Sequence, residues 1–168
     1  ARIAAAAQAA TDRGEEGRYL LEMQLPTQQT VLASLVRRDV RRRVHEASVT
    51  RGATGDDTDT REIVIELARL RAEHARLLGY DHHAAYIAED ATAKTTEAVN
   101  AMLAPLAPAA AANARKEALD LTEALVADLG DPGATLEAWD WAYYAERVRK
   151  QRYSLDDGLL RPYLELEK

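Results

Sequence analysis

Apolar positions along the chain recur mostly three and four residues apart, which is the spacing of one helical face. Residues 2–13 are Ala-rich and polar on one side, the tail of a helix that Gly14 and Gly17 end. Tyr19, Leu21, Met23 and Leu25 then alternate, so residues 18–25 make the best strand candidate, closed by Pro26 and blurred by Leu20. Thr27 can cap the next helix, in which Leu32, Leu35, Val36, Val40, Val44 and Ala47 lay out one stripe. That helix either breaks near Arg37 or runs on. Gly52, Gly55 and three aspartates mark residues 51–59 as a surface loop. Asp59 and Glu62 have the spacing of a capping box, opening a helix with Ile63, Leu67, Leu70, His74 and Leu77 on one face and Gly79 at its end.

Residues 80–90 read as a turn and a short helix carrying Tyr86 and Ile87. Thr95 caps a long helix reaching about Leu129, with Val99, Met102, Leu103, Leu106, Leu121 and Leu125 as its apolar positions. Pro105 and Pro108 fall inside that pattern, remove two N–H donors and predict a kink. Gly130-Asp131-Pro132-Gly133 breaks the chain, and an extended piece, 134–138, leads to a last strong helix. There Asp140 is placed to cap the first turn, with Trp141, Tyr144 and Val148 at helical spacing and Glu146 and Lys150 paired on the wet side. Ser154 and Asp157 look like one more helix start. These elements give a mainly α fold class, a multi-helix scaffold with one or two short strands. Without repeats or a low-complexity linker, residues 1–168 read as a single stretch with no sharp domain boundary and a weak break at 130–134.

Composition sharpens this. Alanine is abundant, β-branched and aromatic residues are sparse, and phenylalanine is absent, which favours helix over sheet. Small side chains bury little area per helix pair, so such a chain should lean on neighbours for stability. The net charge of −6 arises entirely beyond residue 60, which disfavours nucleic acid as a partner. Cysteine is absent, so disulfides and thiolate metal sites are out. No apolar run approaches a membrane span and no signal peptide is visible, so no membrane partner and a cytoplasmic location are expected. The chain lacks an initiator methionine, an expectation of trimming that leaves room for a lost targeting segment.

Candidate chemistry is thin. Arg37, Arg38, Arg41, Arg42 and Arg43 form a basic cluster whose guanidinium forks suit phosphate or anionic peptide ends. They mostly oppose the apolar stripe, so a solvated outer face is the plainer reading. His82 and His83 are adjacent and point apart, His74 lies beyond Gly79, and no His-x-x-x-His pair offers zinc one helical face. Asp81, Glu89 and Asp90 would complete a metal site only by accident of folding. No Gly-x-Ser-x-Gly elbow and no Gly-rich phosphate loop is present. By chemistry alone, no active site is visible. On these residues the chain could be a self-standing helical binding protein, using the Arg37–Arg43 cluster or the Trp139–Tyr144 helix to hold a partner.

A family resemblance offers the alternative. Trp139-Asp140-Trp141 followed by Tyr143-Tyr144-Ala145-Glu146 and Val148-Arg149 resembles a hallmark segment of the thimet-oligopeptidase family of zinc metallopeptidases, closest to its peptidyl-dipeptidase branch. Leu32-Ala33-Ser34-Leu35, Glu46-Ala47-Ser48, Asp59-Thr60-Arg61, Leu77-Leu78-Gly79-Tyr80, His83-Ala84-Ala85-Tyr86 and Pro162-Tyr163 carry the similarity in order along the chain. Ala138 and Thr96 stand where family members often have proline. The resemblance implies a largely helical clamshell with a deep channel for short peptides, and release of dipeptides from a free C-terminus. It also implies zinc held by a His-Glu-x-x-His helix and a later glutamate, with the motif glutamate as general base. None of that motif occurs in residues 1–168, so no catalytic or metal residue is carried over. The stretch is expected to be an internal scaffold portion that binds no zinc itself and contacts short peptides and the remainder of a parent enzyme. Asp140, Tyr143 and Tyr144 are its candidates for supporting or lining the channel.

Overall fold

A computed structural model of the protein describes residues 2–23 and 31–153. Among these, the regular elements are helices: α1 (Arg2–Thr11), α2 (Arg38–Val49), α3 (Arg61–Leu77), α4 (His83–Asp90), α5 (Thr96–Leu129) and α6 (Trp141–Tyr153). The mainly α expectation holds. The chain divides into two compact units, one made of Ala1–Val49 with Ala118–Lys168 and the other of Thr50–Glu117.

In the first unit, the strand expected over residues 18–25 does not form in its described part, 18–23, and no strand exists among the described residues. A strand needs a partner edge, and the regular elements described around it are helices. Instead the Leu20 N–H donates to the Ala6 carbonyl of α1 at 2.9 Å, and Leu20 and Leu21 are both half-buried while Tyr19 is exposed. Pro26, Thr27 and the helix start at Ser154 and Asp157 lie outside the described residues.

The stripe from Leu32 to Ala47 is interrupted before α2, as one of its two readings had it. Arg41 explains how the break is tolerated: its Nη1 donates to the carbonyls of Leu35 and Val36, each at 2.9 Å, satisfying acceptors that a continuous helix would have used. The inward face of α2 is therefore Arg38, Val40, Arg41 and Val44, while Val36 and Ala47 face water. Leu121 and Leu125, from the last turns of α5, pack with Tyr143 and Tyr144 of α6 into the unit's main buried cluster, edged by Ala124, Ala134, Leu136, Ala145 and Val148. Trp141, expected inside, is exposed, and Tyr143 takes the interior position instead.

In the second unit, α3 starts one residue later than the expected capping box requires. Thr60 is its N-cap and makes no side-chain cap bond. Asp59 accepts from the N–H of Arg61 at 3.0 Å and of Gly55 at 2.8 Å, so its carboxylate folds the preceding loop rather than pairing with Glu62. Gly79, at φ 85°, ends α3 while Tyr80 N–H reaches the Ala75 carbonyl (2.9 Å) and Gly79 N–H the Arg76 carbonyl (3.1 Å), closing the last turn. His82 caps α4, its Nδ1 accepting from the Ala85 N–H at 3.1 Å. Ala75 of α3 and Ala88 of α4 are the buried residues of this unit, and Tyr86 stands edge-on to His74 and Tyr80 at 5.2 and 5.4 Å. Thr95 caps α5 as expected, Oγ1 accepting from Ala98 N–H at 3.1 Å, and the helix continues through Pro105 and Pro108.

Candidate functional site

Among the described residues of the first unit, a buried polar arrangement is built around Asp140, which the tight turn 137–140 delivers to the start of α6. Asp140 is fully buried. Arg38 Nε donates to both its carboxylate oxygens at 3.1 Å, and Arg38 Nη2 donates to Oδ2 at 2.7 Å. Arg41 Nη2 donates to Oδ1 at 2.9 Å, and the Glu137 N–H to Oδ2 at 3.2 Å. The expected cap residue is thus in the cap position, but its carboxylate turns to α2 instead of to the first turn of its own helix. Arg38 also grips the Thr135 carbonyl at 2.8 Å, so both arginines tie the 134–140 segment and the 35–36 segment to α2.

Burial alone would push the Asp140 carboxyl up, but Arg38 and Arg41 outweigh it and hold the group below the usual carboxylate range. Arg41 is 1% exposed, and its guanidinium carbon sits 4.1 Å from the centre of the Tyr143 ring and 5.6 Å from that of Tyr144, a doubly supported cation–π contact. Arg41 Nε, also buried, has no hydrogen-bond partner. Tyr144 extends the network: its hydroxyl donates to Asp128 Oδ2 at 3.1 Å, and Arg147 pairs with Asp128 Oδ1. Burial, then the Asp128 carboxylate, raise the Tyr144 hydroxyl, so it stays a proton donor. Asp128 resembles Asp140 in kind: burial raises it, Arg147 and Tyr144 lower it further, and the net shift is down.

The candidate residues Asp140, Tyr143 and Tyr144 are therefore brought together, each less than a tenth exposed. The reading of the arginine cluster as a solvated face is corrected at two of its positions. Arg38 and Arg41 turn inward because a buried carboxylate far along the chain receives them, a partner that local spacing cannot reveal. Arg37 pairs with Asp39 at 2.6 Å and Arg42 with Glu46 at 2.7 Å, both at the surface. Arg42 also lies 5.4 Å from the Trp139 ring, against which His45 stands at 6.1 Å, so the first tryptophan of the motif is held by α2 as well. The signal that could have found Arg38 and Arg41 was their three-residue spacing, which puts both on one helical face.

Among the described residues, no three of His, Asp and Glu gather into a group able to hold a metal ion. His82 spends Nδ1 on its helix cap, and His74 and His83 pack against Tyr86. The described residues do not fit a zinc site. A groove of about 440 Å³ beside the network is lined by Asp120, Asp128, Arg147 and Arg152 among others, but these charges pair with each other, Arg152 with Asp120 at 2.6 Å.

A family model described as peptidase family M3 matches residues 31–168, which takes in the whole Arg38–Arg41–Asp140 network. The chain belongs to peptidase family M3. Relatives in this family include the dipeptidyl carboxypeptidase of Escherichia coli (strain K12), 38% identical over 98% of this chain and 24% of that protein. Oligopeptidase A of the same organism is 30% identical over 95% of this chain and 24% of its own length. A probable cytosolic oligopeptidase A of Arabidopsis thaliana is 29% identical over 96% of this chain and 24% of its own length. The chain spans about a quarter of the length of these relatives. The M3 assignment agrees with the resemblance carried by the Trp139–Arg149 segment, and M3 peptidases are zinc metallopeptidases. No helix among the described residues is long and apolar enough to cross a membrane.

Proposed function

We propose that this M3 chain is a scaffold portion of a zinc-dependent peptidyl-dipeptidase, a longer enzyme that trims dipeptides from the free C-termini of short peptides. One observation carries the reading. The similarity to dipeptidyl carboxypeptidase runs through 98% of the chain, without confinement to one unit. The Asp140 network supports it, because it gives the hallmark segment a mechanical role. Two arginines of α2 clamp the carboxylate that begins α6, while Tyr143 and Tyr144 shield the clamp from water. On this reading Asp140, Tyr143 and Tyr144 support the channel wall from behind, zinc and its ligands belong to other parts of the parent chain, and the peptidase acts in the cytoplasm.

The test is product analysis on the parent enzyme. With zinc, a tetrapeptide with a free C-terminus should yield its terminal dipeptide, and the C-terminally amidated tetrapeptide should be cut far more slowly. Equal cleavage of both, or release of single residues, would remove the peptidyl-dipeptidase reading.

A further inference from the structure

Residues 98–114 of α5 contain no charged side chain, and residues 100–117 are exposed in this structure. Met102, Leu103 and Leu106 show 59%, 47% and 58% of their surface, with alanines filling most positions between them. A helix built to lie on a protein surface carries one polar face, whereas a helix apolar all round belongs to an interior. The other uses for such a helix fit poorly. It is not apolar enough to cross a membrane. A second copy meeting it across a two-fold axis would cover one side and leave the rest wet. The relatives that match this stretch are about four times longer than the match, so about three quarters of each of their chains lies outside it.

We propose that residues 100–114 form an interior helix of the parent peptidase, enclosed on every side by parts of the same polypeptide outside residues 1–168. This rests on the reading of the chain as part of a longer M3 peptidase. Small alanines would let neighbouring helices approach closely from several directions. Pro105 and Pro108 leave the carbonyls of Ala101 and Ala104 without their helical donors, and those carbonyls become acceptors for whatever packs there.

The experiment uses the full-length parent. Ala104→Cys, Ala109→Cys and Ala110→Cys, made singly, sample three sides of the helix at about 100° per residue. Maleimide labelling is followed by mass spectrometry on the tryptic peptide that begins at Thr95 and ends at Arg115. All three positions should label at least about a hundred-fold more slowly in the folded parent than after unfolding, the protection expected of a packed interior. Oxidation of Met102 by hydrogen peroxide in the unmodified parent gives the same reading without any substitution, and decides the matter if a variant fails to fold. Fast labelling or fast oxidation in a folded parent overturns the inference, as does protection that rises with protein concentration, which would point to a second copy. These readouts report enclosure whether or not the parent cleaves peptides, so they fail separately from the functional reading.

Discussion

Asp140 is an acceptor surrounded by donors, and Arg41 is a cation with one carboxylate, two carbonyls and two aromatic rings around it. Removing the carboxylate leaves Arg41 charged and buried, so Asp140→Ala should cost the parent about 3–5 kcal/mol, read by denaturant unfolding. Arg38→Met should cost less, because Arg38 is partly exposed and Arg41 would still neutralise Asp140. Equal losses from both would mean that burial does not set the energetics of the pair. The sign of the pH effect comes from the depressed carboxyls of Asp140 and Asp128. Their contribution is complete above the unfolded carboxylate value of about 3.9 and is lost as pH falls through their lower folded values. Acid unfolding of an Asp140→Asn variant should therefore be less steep than that of the wild type; an identical acid limb would contradict it. Sequence spacing located Asp140 at its helix start but could not supply its partners, because they lie about a hundred residues away.

Helix ends separate what local chemistry can and cannot show. Thr95, Gly79 and the break after Leu129 are read correctly because each acts on its immediate neighbours. The box expected at Asp59 and Glu62 fails because a competing local bond, Asp59 to the Gly55 N–H, is equally available. The contrast is measurable. Thr95→Ala should destabilise the first turn of α5 by about 1 kcal/mol, whereas Thr60→Ala should change the first turn of α3 by clearly less, seen as amide hydrogen exchange at each helix start. Gly52 is a stricter position, since at φ 72° an added Cβ would lie 2.5 Å from Thr60 Oγ1. Gly52→Ala should open the 50–60 loop, while Gly79→Ala, with no atom near, should carry only the backbone cost of about 1–2 kcal/mol. The expected strand fails over its described part, 18–23, for a different reason: alternation states a preference for an edge, and no strand exists among the described residues to offer one.

Across the molecule, helical character and family are legible in the sequence, while the burial of each helix is not, because burial depends on what surrounds it. Ile63, Val64, Ile65, Leu67 and Leu70 of α3 are exposed together, as are Met102, Leu103 and Leu106 of α5. Isolated 1–168 should accordingly unfold over a broad temperature range and bind a hydrophobic dye before heating; a sharp cooperative transition without dye binding would contradict this. The parent should show neither weakness. The most direct measurement sets the two side by side on a tetrapeptide with a free C-terminus, each supplied with zinc. Dipeptide release by the parent and none by residues 1–168 is the predicted result. Zinc-dependent release by residues 1–168 alone, at a rate approaching the parent's, would contradict the scaffold account outright.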